Sequence, residues 1–401
     1  MTKKERIYEL DIFRSLAIMA VLTIHATSQT VVETKGSLLY LPFLFLNTFS
    51  SFAVPVFIFL SGFVLFYNYM DRPLNRRLVQ SFYGKRLLYI LIPYVLFTVF
   101  YFIFQLYKRG ELGMPWSQMA TELGQDLIHG TAYTHLYYVI IMLQLYVVFP
   151  LLLFWFKKHR SIRPWIALIG LVLEWLFVYL NKYGFHLPDP QYIGQHLDLG
   201  LPKGSLLLSY LSYLFLGAGI AVYYDRIKKW LDVSPTGLKA GKGPIWVMIW
   251  ILWLGIGVLH TLVWYKYNTV GSSLDSLVYS LLRNAHALLS CIVLWHMSHA
   301  IYYYGPRVLR TALTSTGACS FGIFLLHPFI LYWYREWFHG GSSLKYAFNI
   351  FGSWAAGLLI SWIIVYAAFK YVKGSWLLFG SNPLRPKAKS AKRSPESSQY
   401  M

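Results

Sequence analysis

Residues 9–25 read ELDIFRSLAIMAVLTIH, and the apolar run continues to about residue 30. Apolar side chains fall on every face of the helix this stretch predicts. A helix of that kind lies either in a large core or in a membrane. A bilayer core asks for about 20 mostly apolar residues per helix, and this run is long enough. The rest of the chain decides between the two. Of 401 residues, 57% are hydrophobic and only 13% are charged. Soluble domains carry about 25% charged residues, so the polar surface is too small for a soluble fold of this length. The same figures exclude a disordered or collagen-like chain.

Working outward, ten stretches have the length and polarity of a membrane span, near 12–30, 42–68, 86–107, 136–156, 164–181, 205–224, 245–265, 280–304, 311–334 and 347–369. The predicted fold is all-α and polytopic, with about ten transmembrane helices. Residues 1–375 form one transmembrane domain, and 376–401 a basic, disordered tail. The opening MTKKER is basic, but Asp11, Arg14 and His25 interrupt the run behind it, so it reads as a permanent first span and not a cleaved signal. The net charge is +20. With the N-terminus placed in the cytoplasm, most Lys and Arg fall in inside segments, among them Arg72, Arg76, Arg77, Lys85 and Arg86. Both termini are therefore expected to be cytoplasmic. The bases lie between apolar runs and form no single patch, so the partner is the lipid bilayer and not nucleic acid. Cys291 and Cys319 both fall in apolar stretches and make no metal or disulfide pattern.

Ionisable groups inside a span cost free energy and mark function by default. At 3.6 residues per turn, Asp11 and Arg14 are about 300° apart, and Arg14 to His25 is three turns plus about 20°. The three share one face, with His25 about 16 Å further along the axis than Arg14. One reading makes Asp11 and Arg14 an interfacial pair and His25 a histidine satisfied by a neighbour. The other makes the stripe an acid–base track along a cavity, since an imidazole can take a proton from a hydroxyl and a guanidinium can hold a phosphate or carboxylate.

The segment Arg6-x3-Leu10-Asp11-x2-Arg14, followed by His25, resembles the opening signature of the acyltransferase 3 family of integral membrane O-acyltransferases. PVFIFLSGF (Pro55 to Phe63), YGKRLLYILIP (Tyr83 to Pro93), His135-Leu136-Tyr137-Tyr138 and SFGIFLLHP (Ser320 to Pro328) are similar to further family motifs, in order along most of the chain. Two positions depart from the pattern: Tyr89 stands three residues after Arg86 where the family has arginine, and Tyr137 stands where it has tryptophan. The resemblance implies an enzyme that moves an acyl group, usually acetyl, from cytoplasmic acyl-CoA to a hydroxyl of a cell-envelope glycan, exopolysaccharide or other exported acceptor. It implies a bacterial plasma membrane. Acyl-CoA would be a co-substrate, and no permanently bound cofactor is expected. His25 would then be the base or acyl carrier, supported by Arg14 and Asp11, and Lys85 and Arg86 would meet the CoA phosphates.

Acyl transfer needs a base, donors for the oxyanion and a dry site. Ser61 and Gly62 are candidates on the donor side; small residues there equally suit helix packing. On the acceptor side the candidates are His327, Ser320, Arg283, His286 and His135, each of which core packing or solvation would also explain. Arg283 and His286 stand at i,i+3 and are expected to face each other. His296 and His299 share that spacing but lack carboxylates, so no metal site is expected. Glu174 sits mid-span without an evident partner and must pair across helices or be protonated. A polytopic transporter or exporter of a glycan or lipid-linked sugar is the alternative from another class, although inverted repeats are not evident.

Overall fold

A computed structural model describes residues 4–187, 203–231, 242–271, 274–338 and 343–383. The protein is an all-α polytopic membrane protein. In chain order the helices are α1 (Glu9–Glu33), α2 (Tyr40–Phe49), α3 (Ala53–Tyr69), α4 (Arg76–Arg86), α5 (Ile92–Arg109), α6 (Trp116–His129), α7 (Tyr137–Lys158), α8 (Ile166–Leu180), α9 (Leu211–Val222), α10 (Tyr224–Ile227), α11 (Gly243–Val270), α12 (Ser276–Tyr304), α13 (Arg307–Ala318), α14 (Ser320–Trp337), α15 (Ser343–Tyr371) and α16 (Trp376–Phe379). Among the described residues, eight helical stretches are long and apolar enough to cross a bilayer, and a bent pair makes a ninth. Three of the eight are composite. A 3-10 turn joins α2 to α3, and a π-helical turn, Leu87–Leu91, joins α4 to α5. Within Arg160–Phe185 a 3-10 turn leads into α8 and a π-helical turn ends it.

The expected count of ten is met only by including two irregular members. The stretch 205–224 is a shorter apolar helix that opens with 3-10 turns. The stretch 311–334 is no straight span. It breaks at Cys319, and α13 and α14 meet at 80°, so α13 lies across the start of α1 while only α14 enters the bundle. At the other boundary, α16 follows residue 375 and folds back onto α5 and α14. Its Phe379 is buried against Phe97 and Phe369, so packed structure continues past the expected start of the tail. Residues 384–401, the rest of that tail, lie outside the described residues. Cys291 and Cys319 are free and buried.

α1 is the axis of the bundle, packed by α2, α3, α12, α13, α14 and α15. Apolar helices in a bilayer gain little by hiding from lipid, so close contact between small residues does much of the holding. α3 and α9 show this. A Cβ on Gly62 would strike the Leu214 carbonyl, and one on Gly217 would strike the Phe59 carbonyl and the Phe63 amide. Each glycine lets the other helix's backbone come close. Gly217→Ala should therefore cost about 1–3 kcal/mol through forced separation of the helices, read as a lower melting temperature of the detergent-purified protein.

Candidate active site

The site begins with a buried carboxylate. Asp11 is 3% exposed. One of its oxygens accepts from Arg14 Nη1 at 2.8 Å and the other from Arg6 Nη2 at 2.7 Å. A carboxylate this deep needs such compensation. α13 presses on the same turn: a Cβ on Gly317 would overlap the Asp11 carbonyl, so glycine is required for that approach. The pairing with Arg14 matches the i,i+3 spacing, and the second arginine comes from the residues just before the helix.

Arg14 then lines a cavity of about 220 Å³ enclosed by α1, α3, α4, the π turn, α7 and α14. Its polar lining is Arg14, Arg86, Ser61, Ser320, Tyr138 and Tyr146, and the rest is mainly apolar. The Arg86 guanidinium lies 4.6 Å from the Tyr146 ring centroid and 5.3 Å from that of Phe82, and its buried Nε has no hydrogen-bond partner. A buried donor without an acceptor is a cost of about 1–3 kcal/mol that a ligand oxygen would relieve. Ser61 donates to the Phe57 carbonyl at 2.9 Å, and the Tyr138 hydroxyl pairs with the Ser61 side chain at the cavity wall.

Further along α1, His25 is half-buried and its ring centroid lies 5.1 Å from that of His327 on α14. His327 lies 5.7 Å from His135 in turn. Both are almost wholly buried. His327 Nδ1 stands 3.0 Å from the Ile323 carbonyl, while its Nε2 and both nitrogens of His135 have no partner. His135 reaches this depth because Gly130, at φ 72°, ends α6 in a left-handed cap and turns the chain inward. Two outside donors hold the α1 backbone here: Arg335 of α14 donates to the His25 carbonyl, and Asn47 of α2 donates to the Ile24 carbonyl at 3.0 Å. Phe324 lines the cavity and also sits 5.0 Å from His135 and 6.2 Å from His327. It stands between the arginine cavity and the His135–His327 pair.

The sequence-derived candidates therefore divide. Asp11 and Arg14 stand together at the cavity with Arg86 and Ser61, and His25, His327 and His135 form one cluster behind Phe324. Ser320, expected on the acceptor side, lies with Arg14 in the cavity because α14 starts just after the bend. Gly62 packs on Leu214 and does not line the cavity. Lys85 is exposed and outside the cavity lining, since consecutive helical residues point about 100° apart. Arg283 and His286 do not face each other. His286 is buried among Phe49, Phe52 and Trp253, with both nitrogens unpartnered, whereas Arg283 is exposed. Neither belongs to the His25 cluster. Glu174 pairs across helices, accepting from the Ser212 amide and hydroxyl at 2.8 and 2.7 Å and from Asn284 at 2.7 Å. His296 stacks on Trp246 and takes the Trp250 indole N–H at 3.1 Å, while His299 faces Glu9 at 3.6 Å. Sequence reasoning passed over Tyr146 and Phe324. Tyr138, Met142 and Tyr146 recur every four residues on α7, a periodic signal that was available. Phe324 gave none.

The acyltransferase 3 family model, described as an acyltransferase domain, matches residues 7–369. The chain belongs to this family, and is a multi-pass membrane protein of an acyltransferase class. Relatives include proteins described as "Probable poly-beta-1,6-N-acetyl-D-glucosamine export protein". One from Staphylococcus aureus strain Mu50 is 22% identical over 338 residues, 82% of this chain and 83% of the relative. One from Staphylococcus epidermidis is 25% identical over 337 residues, 82% of each chain. No solved structure matches.

Asp11→Asn should leave two guanidinium groups sharing a neutral amide and lower stability by about 2 kcal/mol. Arg6→Ala should cost less than about 1 kcal/mol, because the Arg6 side chain is 55% exposed and Arg14 still neutralises the carboxylate. Thermal melts of the two variants check the order.

Proposed function

We propose that this protein moves an acyl group, acetyl being the simplest, from acyl-CoA to a hydroxyl of a cell-envelope glycan or another exported acceptor. The observation that carries the reading is the adjacency of two compartments. An arginine-bearing cavity lies next to a cluster of three imidazoles, and Phe324 touches both the cavity and two of the rings. Membership of the family supports the acyl chemistry, and the glycan named for the staphylococcal relatives supports the class of acceptor. In this reading the donor enters at the basic end of the bundle, on the cytoplasmic side by the positive-inside asymmetry. Arg86 and Arg14 hold its charged or carbonyl oxygens, and the apolar lining takes the thioester end. Phe324 turns aside so that the carbonyl reaches His25.

His25 then takes the proton of the acceptor hydroxyl as its oxygen bonds to the thioester carbon. The tetrahedral intermediate collapses, the C–S bond breaks, and the thiolate leaves with the proton from His25. Atoms and charge balance with no further reactant.

The expected result is CoA thiol release from acetyl-CoA by the protein in nanodiscs, dependent on a glycan acceptor. His25→Ala should reduce kcat by about 10²–10⁴-fold. Arg86→Ala should act mainly on KM for acyl-CoA, raising it about tenfold, as loss of uniform binding does. A second reading is favoured by the relatives, which are named as export proteins of a glycan: movement of such a chain across the membrane. A cavity of about 220 Å³ suits the end of a thioester better than a strand of linked sugars. Movement of labelled glycan into vesicles with no thiol release would favour export and overturn acyl transfer.

A further inference from the structure

His327 occupies an unusual position for a core histidine. It is 0% exposed, and its Nδ1 faces the Ile323 carbonyl at 3.0 Å. A carbonyl only accepts, so the ring proton sits on Nδ1 and Nε2 carries a bare lone pair. That nitrogen has no partner. The nearest imidazole is His25, whose ring contact among the described residues is His327 alone. At a centroid separation of 5.1 Å, ring nitrogens turned toward each other would stand about 3 Å apart, the reach of an N–H···N hydrogen bond. The rings are tilted by 56° and make no bond as they stand; such bonds often tighten only when substrate binds.

The residues around the pair keep this geometry. Arg335 holds the His25 carbonyl, and Asn47 holds that of Ile24, which fixes the height of His25 on α1. Pro328 follows His327 inside α14. Having no N–H, it gives nothing to the Phe324 carbonyl, and this turn of the helix offers the His327 ring carbonyls instead of donors. Behind His327, His135 closes the cluster at a centroid distance of 5.7 Å, with two unpartnered nitrogens.

We propose that His327 is a positioning residue for His25. Its Nε2 accepts one ring N–H of His25, which fixes the tautomer and orientation of His25 and leaves the other ring nitrogen bare to take the acceptor's proton. A neutral imidazole here does the orienting work that a carboxylate does in hydrolytic triads, which suits a site where a second buried charge would be costly. The inference rests on the reading of His25 as the base.

The test uses full-length protein in nanodiscs with His327 changed to Gln, Asn or Leu. A Gln amide oxygen can stand where Nε2 stands. Asn keeps a polar group near the Ile323 carbonyl but offers no acceptor to His25. His327→Gln should keep kcat within about threefold of the unaltered protein, while His327→Asn and His327→Leu should lose about 10²-fold with KM for acyl-CoA unchanged. Equal kcat for the Gln and Asn variants would overturn the proposal, as would full activity of the Leu variant. The Gln–Asn comparison remains decisive if the Leu variant does not fold. A second readout needs no turnover: the rate at which diethyl pyrocarbonate modifies His25, followed by peptide mass. The rate should be alike in the unaltered protein and His327→Gln and about threefold lower in the other two variants. If the unaltered protein releases no thiol, the acyl-transfer reading falls, and this rate order alone decides the role of His327, with equal rates in all four proteins overturning it.

Discussion

A carboxylate buried at the start of an apolar helix has to be neutralised, and much of this architecture follows from how that is done at Asp11. Arg6 and Arg14 approach it from opposite sides along the chain, so the carboxylate is fully compensated and the first turns of α1 are tied together. α13 lies across them through Gly317. Once this end is fixed, helical geometry fixes the rest of α1, and His25 lies about 16 Å away on the same face. A buried ion pair is weak evidence for net stability, because desolvation offsets most of the attraction. Its better-supported role is register: it specifies which face of α1 looks into the bundle, and so where the imidazole goes.

How far a sequence can be read depends on whether the information is local. The Asp11–Arg14–His25 stripe is local, because a single helix sets the angles and distances, and the structure places the three residues on α1 as the spacing requires. The same holds for the apolar runs that mark the spans. What escaped is non-local or depends on direction within a turn. Lys85 and Arg86 are equivalent on charge alone, yet only Arg86 faces Tyr146. Gly62 looks like a backbone approach to ligand until Leu214 is seen against it. Arg283 and His286 have the spacing of a pair, but the packing of Phe49 and Trp253 around His286 decides where that ring goes. Glu174 could not be assigned partners, since Ser212 and Asn284 come from two other helices. The break at Cys319 was hidden because the sequence on both sides remains helical, so hydropathy alone reads one span.

That break matters to the site. It disconnects α14 from α13, and α14 carries Ser320, Phe324, His327 and Arg335. These are a residue of the cavity lining, the ring between cavity and histidines, the neighbour of His25 and the clamp on the α1 backbone. One short helix thus touches every part of the arrangement. α1, by contrast, is held along its length by ion pairs, tight glycine contact and donors from α2 and α14.

If either α1 or α14 is to move, α14 is the one with the freedom. Pro328 interrupts its hydrogen-bond ladder just beyond His327, and such an interruption permits a bend at modest cost. The 80° corner at Cys319 means that a tilt of α14 need not drag α13 off Asp11. A rotation of the Phe324 side chain, or a small tilt of the half-helix that bears it, would join the arginine cavity to the imidazoles while α1 stays in place. The rigid helix would then keep His25 where it is, and the interrupted one would open the way to it from the cavity. This division of labour requires the proline and the corner to lie on the same helix as Phe324, and they do.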